Sequence, residues 1–486
     1  MRVLFPVGAI KKGCYKKGML DISKTGMPSI WKVVLQFAEF NSDRAYFYIG
    51  AVCYSNTPGK VEYLPLQGVN GCLVLIHTDE RLWLNQGILY MLEKLVHLFS
   101  YNSTKPVDCV VLPWGGFSLY FKYYMGFKYN IEHRPALFVR TYNGVTEKPS
   151  LRFVVEEPND YNSLMLSYAD GIFTNAHHLK PAYLEMMKAD LSFSRIRDVM
   201  EKIQCIPHGV PVPEEALDFN RGKVVGYFGR LDDVTKNIQV VFKVFDRLYR
   251  SGVAEDVVLT SPVIADKHKK TLEILPYAKL KIMKMEYLEE VKKARATVAH
   301  YTSIACPVAM MEQMAYGVVP IVPKNRMWAR YFFDAELPDY PFMFSNNSEI
   351  YPLLKVLLED DDLYKKWAEK VSSVGRRFEL RQKKRELYDA MEVMAAGIDQ
   401  TPYMKFTRED FEARYRFFPT IEKIVTDLGP EFYGTDFLDE VSKRKVPIVV
   451  AGGRQIISTV GLYKMVKSFG YEDSLDSREF KFVRRS

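Results

Sequence analysis

Residues 224–249 read VVGYFGRLDDVTKNIQVVFKVFDRLY, and this stretch is the strongest indication of an α/β fold in the chain. Its apolar start predicts a buried strand, Gly229 predicts a turn, and the pattern from about Asn237 predicts a helix. Such a turn allows backbone N–H groups and a helix N-terminus to face a phosphate. Arg230 and Lys236 lie in the loop, where Arg offers phosphate a bidentate fork and Lys a point charge. The stretch predicts a phosphate-binding loop, although an ordinary strand–helix connection would contain the same glycine.

A second stretch, residues 297–323, reads TVAHYTSIACPVAMMEQMAYGVVPIVP. It predicts a strand over 297–301, a loop, a helix that carries Glu312, and a strand over 318–322. A carboxylate on a helix beside such a strand end can accept hydrogen bonds from the hydroxyls of a ribose. Together the two stretches predict a site for a nucleoside diphosphate, with separate contacts for the phosphates and the sugar.

The whole pattern resembles the donor half of the GT-B glycosyltransferases, in particular glycosyltransferase family four. That half carries G-R-L, a Lys a few residues later, E-x7-E and G-x-x-P. The residues that match are Gly229, Arg230, Leu231, Lys236, Glu312, Gly317 and Pro320. Ile304 stands where the family has the first acid of E-x7-E, next to Ala305, so the chain departs from the pattern where the family holds its donor sugar. The motifs cover roughly residues 165–325.

The resemblance implies a retaining transfer of a hexose or pentose from a nucleoside-diphosphate sugar, expected to be a UDP-sugar, to a hydroxyl. It implies no further cofactor and no metal, and no Asp-x-Asp triplet follows a predicted strand. Arg230 and Lys236 would be catalytic, because they would offset the charge on the leaving diphosphate. The donor-binding residues would be Gly229, Arg230, Lys236, Ile304, Ala305 and Glu312.

The acceptor side of the chemistry is less readable. The family often has a His at the end of an acceptor-half strand, and here the matching strand is followed by Arg140, Tyr142 and Asn143. His177 and His178 follow the next strand but are expected to start a helix. His300 ends a donor-half strand and is a weaker candidate.

Composition fits a large globular enzyme. The chain has 486 residues, of which 48% are hydrophobic and 26% charged, so it can form two or three domains with sizeable cores. Six cysteines without C-x-x-C spacing argue against a zinc site or a disulfide framework and favour a reducing, cytoplasmic setting. No apolar run approaches the roughly 18 residues of a membrane span. The net charge of +8 fits an anionic partner, and equally an enzyme that binds only a nucleotide sugar.

Three domains are predicted. Residues 1–205 alternate strands with helical patterns, which indicates a doubly wound, Rossmann-like acceptor domain. Residues 206–400 form a second Rossmann-like domain that binds the donor across a cleft, and a charged helix over 374–395 returns to the first domain. Residues 401–486 form a small winged-helix-like appendage. The fold class is α/β, with GT-B architecture.

The appendage rests on helical patterns over 420–428, 435–444 and 455–469, followed by a hairpin-like end. Three helices and a hairpin are typical of a winged helix-turn-helix, which commonly places one helix in the DNA major groove. A winged helix that serves only protein contacts, or that acts as a lid, fits the same pattern.

Lysines follow the first predicted strand, at Lys11, Lys12, Lys16 and Lys17. In a doubly wound sheet this loop points into the ligand crevice, so the lysines would line the cleft as a flexible loop that grips a polyanion. A solubilising surface loop is the alternative. The basic residues over 374–395 allow the same choice between an anion-facing patch and a solvated helix face.

Two acceptors compete. The first is a hydroxymethylated base in duplex DNA, as for the bacteriophage DNA base glycosyltransferases, which also have a GT-B fold; such an enzyme would flip its target base. The lysine loop, the basic helix and the appendage favour DNA. The second is a cell-surface polysaccharide or glycolipid, the commoner role in the family. A third hypothesis is a transferase-like nucleic-acid-binding protein that has lost activity.

Overall fold

The computed structural model gives the fold of most of the chain. The described residues are 1–11, 13–25, 28–78, 91, 94–95, 107–112, 135–140, 145–147, 153–155, 166–188, 191–229, 231, 237–261, 279–282, 287–301, 307–398, 418–444, 446, 465–466, 468–476 and 479–484. Within these ranges, no helix is both long enough and apolar enough to cross a bilayer.

The first half of the chain is built on a large sheet. Its strands, with two small hairpins, are β1 (Arg2–Ile10), β2 (Tyr15–Lys16), β3 (Met19–Leu20), β4 (Tyr46–Tyr54), β5 (Val61–Pro65), β6 (Gly71–Thr78), β7 (Cys109–Leu112), β8 (Ala136–Arg140), β9 (Val145–Glu147), β10 (Phe153–Val155), β11 (Gly171–Thr174) and β12 (Ile203–Cys205). The eight-stranded order is β12-β11-β8-β7-β1-β4-β6-β5. Its strand pairs are parallel except β5 with β6. The helices are α1 (Pro28–Phe40), α2 (Leu179–Met187) and α3 (Phe193–Glu201), with a 3-10 turn at Ile22–Lys24.

The second half repeats this architecture on six parallel strands. They are β13 (Val224–Phe228), β14 (Asp256–Ser261), β15 (Lys279–Ile282), β16 (Ala296–Val298), β17 (Val319–Pro323) and β18 (Met343–Phe344), in the order β15-β14-β13-β16-β17-β18. The helices are α4 (Ile238–Arg250), α5 (Tyr287–Val291), α6 (Val308–Ala315), α7 (Met327–Glu336), α8 (Ile350–Glu359), α9 (Asp361–Arg376) and α10 (Leu380–Ala396), with a 3-10 turn at Asn347–Glu349. The central strands are buried over nearly their whole length, as parallel strands covered by helices on both faces are.

The predicted single helix over 374–395 is wrong, because the chain breaks there into α9 and α10. The side chain of Phe378 is buried between them, and the carboxylate of Glu379 caps α10 by accepting bonds from the N–H groups of Arg381 and Gln382. Helix α10 then returns to the first half, where Tyr388 lies in its core and Arg44 pairs with Asp389 and Glu392.

The C-terminal part holds two helices and a small sheet. These are α11 (Phe418–Leu428), β19 (Glu431–Tyr433), α12 (Gly434–Lys443), β20 (Tyr471–Asp476) and β21 (Glu479–Arg484), and the antiparallel sheet has the order β19-β21-β20. Of the helix predicted over 455–469, only a few residues are described, and 465–466 are helical. The winged helix therefore stays a prediction.

Buried apolar side chains form three separate clusters. One lies within residues 3–206 and takes Leu387, Tyr388 and Met391 from α10; the others lie within 210–378 and within 418–482. We propose on this basis three domains, with bounds at 1–205, 206–400 and 401–486.

Candidate functional site

The strand order of the second sheet changes direction between β13 and β16. From β13 the chain proceeds to β14 and β15 on one side, then returns to β16, β17 and β18 on the other. Ligands of open α/β sheets bind at such a point, outside the carboxyl ends of the strands. Gly229 follows β13 here, and His300 follows β16. The turn at Gly229, within residues 224–249, therefore lies where the topology favours a ligand.

Gln313 ties the two predicted parts of the site together. Its side-chain amide donates to the carbonyl of Phe228, the last residue of β13, over 3.3 Å. Gln313 is buried, whereas its neighbour Glu312 is half-buried on the same helix, α6. The bond holds α6, the helix that carries Glu312, beside the end of β13, which Gly229 follows.

The carboxylate of Glu312 has no hydrogen-bond partner among the residues that the structure describes. Burial raises its pKa to about 7, and the charge of Lys32 on α1 offsets this only in part. Because α1 belongs to the first half, Glu312 lies within electrostatic reach of the opposite wall of the cleft. A half-buried, unpaired acceptor of this kind suits a ligand that brings hydroxyl donors.

The loop after Gly229 is anchored at both ends. Gly229 donates its N–H to the carbonyl of Thr260 over 3.3 Å, and Leu231 donates its N–H to the hydroxyl of Ser261 over 3.0 Å. At the far end, Asn237 contacts His300 over 3.0 Å, directly before α4. Among the predicted donor residues, Gly229 and Glu312 are described, on elements that the bond from Gln313 to Phe228 holds together. Lying outside the described residues are Arg230, Lys236, Ile304 and Ala305.

On the acceptor side, Arg140 occupies the position expected for a histidine, and its guanidinium is buried. It donates to the carbonyls of Thr174 and Ile206, over 3.2 and 2.6 Å. These bonds connect the end of β8 to the segment at Ile206 that leads into the second half, so Arg140 has a structural role. Burial, with a smaller effect of Arg140, holds the pKa of His208 well below its ordinary value. Tyr142 and Asn143 lie outside the described residues.

His177 spans the two halves. Its Nε2 lies 2.9 Å from Oε1 of Glu336 at the end of α7, and Arg377 contacts the other oxygen of that carboxylate over 2.9 Å. Hydrogen bonds to Cys205 and then to Glu336 raise the pKa of His177 to about 10. The imidazole is therefore a cation at neutral pH, and His177 acts as an interdomain contact.

The predicted lysine loop is an ordered hairpin, β2–β3. Tyr15 donates its hydroxyl to the carbonyl of Pro65 over 2.6 Å, and the carbonyl of Gly18 accepts from the N–H of Gln67 over 2.9 Å. The expected flexible loop is thus pinned beside β5. Lys11, Lys16 and Lys17 are exposed on it, and Lys12 lies outside the described residues.

Metal ligands and disulfides do not feature in the described parts of the chain. No group of three His, Cys, Asp or Glu side chains there could hold a metal ion. The cysteines described are free thiols, at Cys14, Cys53, Cys72, Cys109 and Cys205.

Comparison with solved structures identifies the architecture. Sucrose-phosphate synthase from Thermosynechococcus elongatus matches with a TM-score of 0.53 at 11% identity, over 82% of this chain and 99% of that one. An α,α-trehalose-phosphate synthase (UDP-forming) from Burkholderia vietnamiensis matches equally, over 82% and 98%. HepE from Anabaena, in complex with UDP, matches with a TM-score of 0.50 at 10% identity, over 81% and 100%.

The chain has the GT-B fold. The GT-B architecture predicted from the sequence is thereby confirmed. Comparison with protein-family models and with curated protein sequences finds no match. About 18% of the chain lies outside the part that matches the two synthases, whereas nearly the whole of each synthase chain is matched. The protein therefore has residues that these two GT-B structures lack.

Proposed function

We propose that this protein is a glycosyltransferase that moves a hexose or pentose from a UDP-sugar to a hydroxyl acceptor, with retention and without a metal. The observation that carries the proposal is the bond from Gln313 to Phe228, because it holds the helix of Glu312 beside the strand that ends in the glycine turn. UDP is the favoured nucleotide because HepE was crystallised with UDP and the trehalose-phosphate synthase is UDP-forming. The motifs shared with glycosyltransferase family four support retention.

Each part of the crevice has a task in this reaction. The bond between sugar C1 and the β-phosphate oxygen breaks, a bond to the acceptor oxygen forms, and the acceptor releases its proton. Negative charge then grows on the departing diphosphate, where Arg230, Lys236 and the N–H groups after Gly229 would stabilise it. Glu312 would accept hydrogen bonds from the ribose hydroxyls and so hold the nucleotide in register.

Donor binding is tested first, by titrating UDP into the full chain and by following hydrolysis of UDP-sugars. Arg230→Ala should remove a charge-assisted bond worth about 1.5–3 kcal/mol, which weakens UDP binding roughly 10- to 150-fold and slows turnover strongly. Lys243→Ala is the matched control, since Lys243 is an exposed cation on α4. Turnover at the wild-type rate by Arg230→Ala would contradict the assignment of Arg230 to the donor diphosphate. UDP binding without sugar release would favour the inactive binding protein.

For the acceptor, basic side chains are the feature that bears on the choice between the two candidates. The exposed lysines of the β2–β3 hairpin favour a DNA acceptor that carries a hydroxymethylated base. The basic run on α9 and α10 favours it less than its sequence does, because four of its basic side chains are paired or buried. Arg377 pairs with Glu336, Lys383 with Glu386 and Arg385 with Asp43, and Lys384 is buried. A surface polysaccharide or glycolipid is the second candidate.

A salt titration of DNA binding separates the two acceptors. With a DNA acceptor, binding weakens steeply with salt, with a slope near 0.9 per phosphate contact. Replacing Lys11, Lys12, Lys16 and Lys17 by alanine should reduce that slope by up to about 3–4 and leave UDP affinity unchanged. Deleting 401–486 tests the appendage separately. An intact protein without salt-dependent DNA affinity would leave the glycan acceptor.

A further inference from the structure

His300 uses both of its ring nitrogens at the edge of the donor crevice. Its Nδ1 lies 3.0 Å from the side-chain amide nitrogen of Asn237, and its Nε2 lies 2.7 Å from the side-chain oxygen of Asn347. The imidazole is buried and packs against the ring of Phe344, with centroids 5.0 Å apart. His300 therefore connects the start of α4, the end of β16 and the 3-10 turn Asn347–Glu349.

These partners determine the protonation state of the ring. An amide nitrogen only donates, so Nδ1 must be the acceptor towards Asn237; an amide oxygen only accepts, so Nε2 must carry the proton towards Asn347. The network thus needs neutral imidazole. A proton on Nδ1 would place the Nδ1–H donor opposite the amide donor of Asn237, and the bond between them would break.

The surroundings of the ring lower its pKa on balance. Burial is the largest effect and lowers the pKa of His300; the bond to Asn347 and a backbone hydrogen bond raise it, and the charge of Arg326 lowers it. On the 3-10 turn, the carboxylate of Glu349 is occupied by the N–H of Ser345 and the amide of Asn346, and the nearby charge of Lys324 acts on that carboxylate. The surroundings favour the neutral ring that the hydrogen bonds require.

Asn237 is a position that needs such support. Its backbone has φ +45°, in the left-handed region that Asn tolerates better than most residues but populates sparsely. Its carbonyl accepts the first hydrogen bonds of α4, from the N–H groups of Val240 at 2.9 Å and Val241 at 3.4 Å. It is also the residue with which the loop from Gly229 ends.

We propose that His300 is a positioning residue of the donor crevice, whose neutral, doubly bonded imidazole holds Asn237 and the first turn of α4 in place for the donor diphosphate. The inference rests on the proposed function, because the crevice is assigned to a nucleotide there. It predicts that donor affinity depends on a bond that an acidic pH breaks.

Two substitutions of His300 test the role through UDP affinity. His300→Ala removes both bonds and should weaken UDP binding on the order of 10-fold at pH 8. His300→Gln can accept from Asn237 and donate to Asn347 but cannot be protonated, so it should recover most of the affinity and remove the part of the decline in acid that protonation of His300 causes. In wild-type protein that part should set in below the ordinary histidine value of 6.5, because burial lowers the pKa of His300. Unchanged UDP affinity in a folded His300→Ala protein overturns the proposal.

Controls come from the neighbouring turn and from the partner residue. Asn347→Ala removes the acceptor of Nε2, whereas Asn346→Ala alters the adjacent residue, which does not contact His300; only Asn347→Ala should weaken UDP binding. If His300→Ala does not fold, Asn237→Gly serves instead, because glycine tolerates the left-handed conformation and lacks the amide. Equal effects of Asn346→Ala and Asn347→Ala would count against the proposal.

Amide hydrogen exchange provides a readout that needs no ligand. The N–H groups of Val240 and Val241 should exchange faster in His300→Ala than in wild type, and at near wild-type rates in His300→Gln. This result supports the inference even if UDP does not bind, in which case the donor assignment alone fails. Unchanged exchange of these amides in His300→Ala refutes the positioning role, whatever UDP does.

Discussion

Replacing Glu312 with glutamine should make the ligand-free protein more stable and the donor site weaker. The pKa of Glu312 is raised by burial to about 7 from the ordinary value of 4.5, so folding favours the neutral acid. Above pH 7 the folded protein must hold a half-buried carboxylate without a described hydrogen-bond partner. Glutamine has nearly the same shape and removes that charge.

The size of the effect follows from the two pKa values. A difference of about 2.5 between folded and unfolded chains corresponds to about 3 kcal/mol at 1.36 kcal/mol for each factor of ten. The sign is that of a raised acid: the penalty is absent below pH 4.5, grows as the pH rises to about 7, and is complete above it. Glu312→Gln should therefore be about 3 kcal/mol more stable at pH 8 and equal to wild type near pH 4.

Thermal unfolding at the two pH values measures this difference. In a domain of about 170–200 residues, 3 kcal/mol corresponds to a rise in Tm of roughly 6–12 °C. Glu369→Gln, at an exposed position on α9, is the matched control and should not change Tm. The reasoning is wrong if Glu312→Gln is no more stable than wild type at pH 8.

UDP binding should show the opposite preference. Ribose hydroxyls donate to the ionised form of Glu312, so wild-type affinity should rise with pH and reach a plateau above about pH 7. Glu312→Gln should lose about 1.5–3 kcal/mol of binding at pH 8 and lose the part of this rise that Glu312 causes. Titration calorimetry in two buffers should detect proton release on UDP binding below pH 7 in wild type and none in the variant.

Three further predictions concern packing, the metal and the interdomain contact. Gly375→Ala should cost about 2–4 kcal/mol in denaturant unfolding, because its new Cβ would lie 2.2 Å from the backbone nitrogen of Ala315; near wild-type stability would contradict the packing of α9 on α6. Sugar transfer should persist in a chelator, and an activity that vanishes and returns with manganese would show the opposite. Glu336→Gln should lower Tm most between about pH 5 and 6.5, because His177 is protonated there in the folded and the unfolded chain and its raised pKa stabilises the folded chain in full. The difference in Tm from wild type should close as the pH rises towards 10, and a difference that widens with pH would refute this.

The buried strands could be predicted from sequence because each is an unbroken apolar run between polar loops. The strand predicted over 318–322 is β17 (Val319–Pro323), shifted by one residue, and the strand predicted over 297–301 is the shorter β16 (Ala296–Val298). The break between α9 and α10 could not be predicted, because residues 377–379 contain neither Gly nor Pro. It is set by the cap from Glu379, which is local, and by the burial of Phe378, which is a tertiary effect.

The proposed site follows from the sequence only where one short segment carries the predicted chemistry. Gly229 and Glu312 follow from strand, turn and helix patterns that are local in the chain. The contacts that assemble the crevice are not local: Gln313 meets Phe228 across 85 residues, and Asn237 meets His300 across 63. A single sequence holds no signal for such pairs, although both glutamine and histidine stand beside residues that the patterns identify.

The return of α10 to the first half makes that half a discontinuous folding unit. Leu387, Tyr388 and Met391 belong to its core, yet they follow the whole of the second half in the chain. At about 1.5–3 kcal/mol for each buried side chain, a fragment that ends near residue 206 would lack a stabilisation comparable to that of an entire small domain. During synthesis, part of the apolar core of the first half therefore stays uncovered until some 190 residues beyond residue 206 have been made.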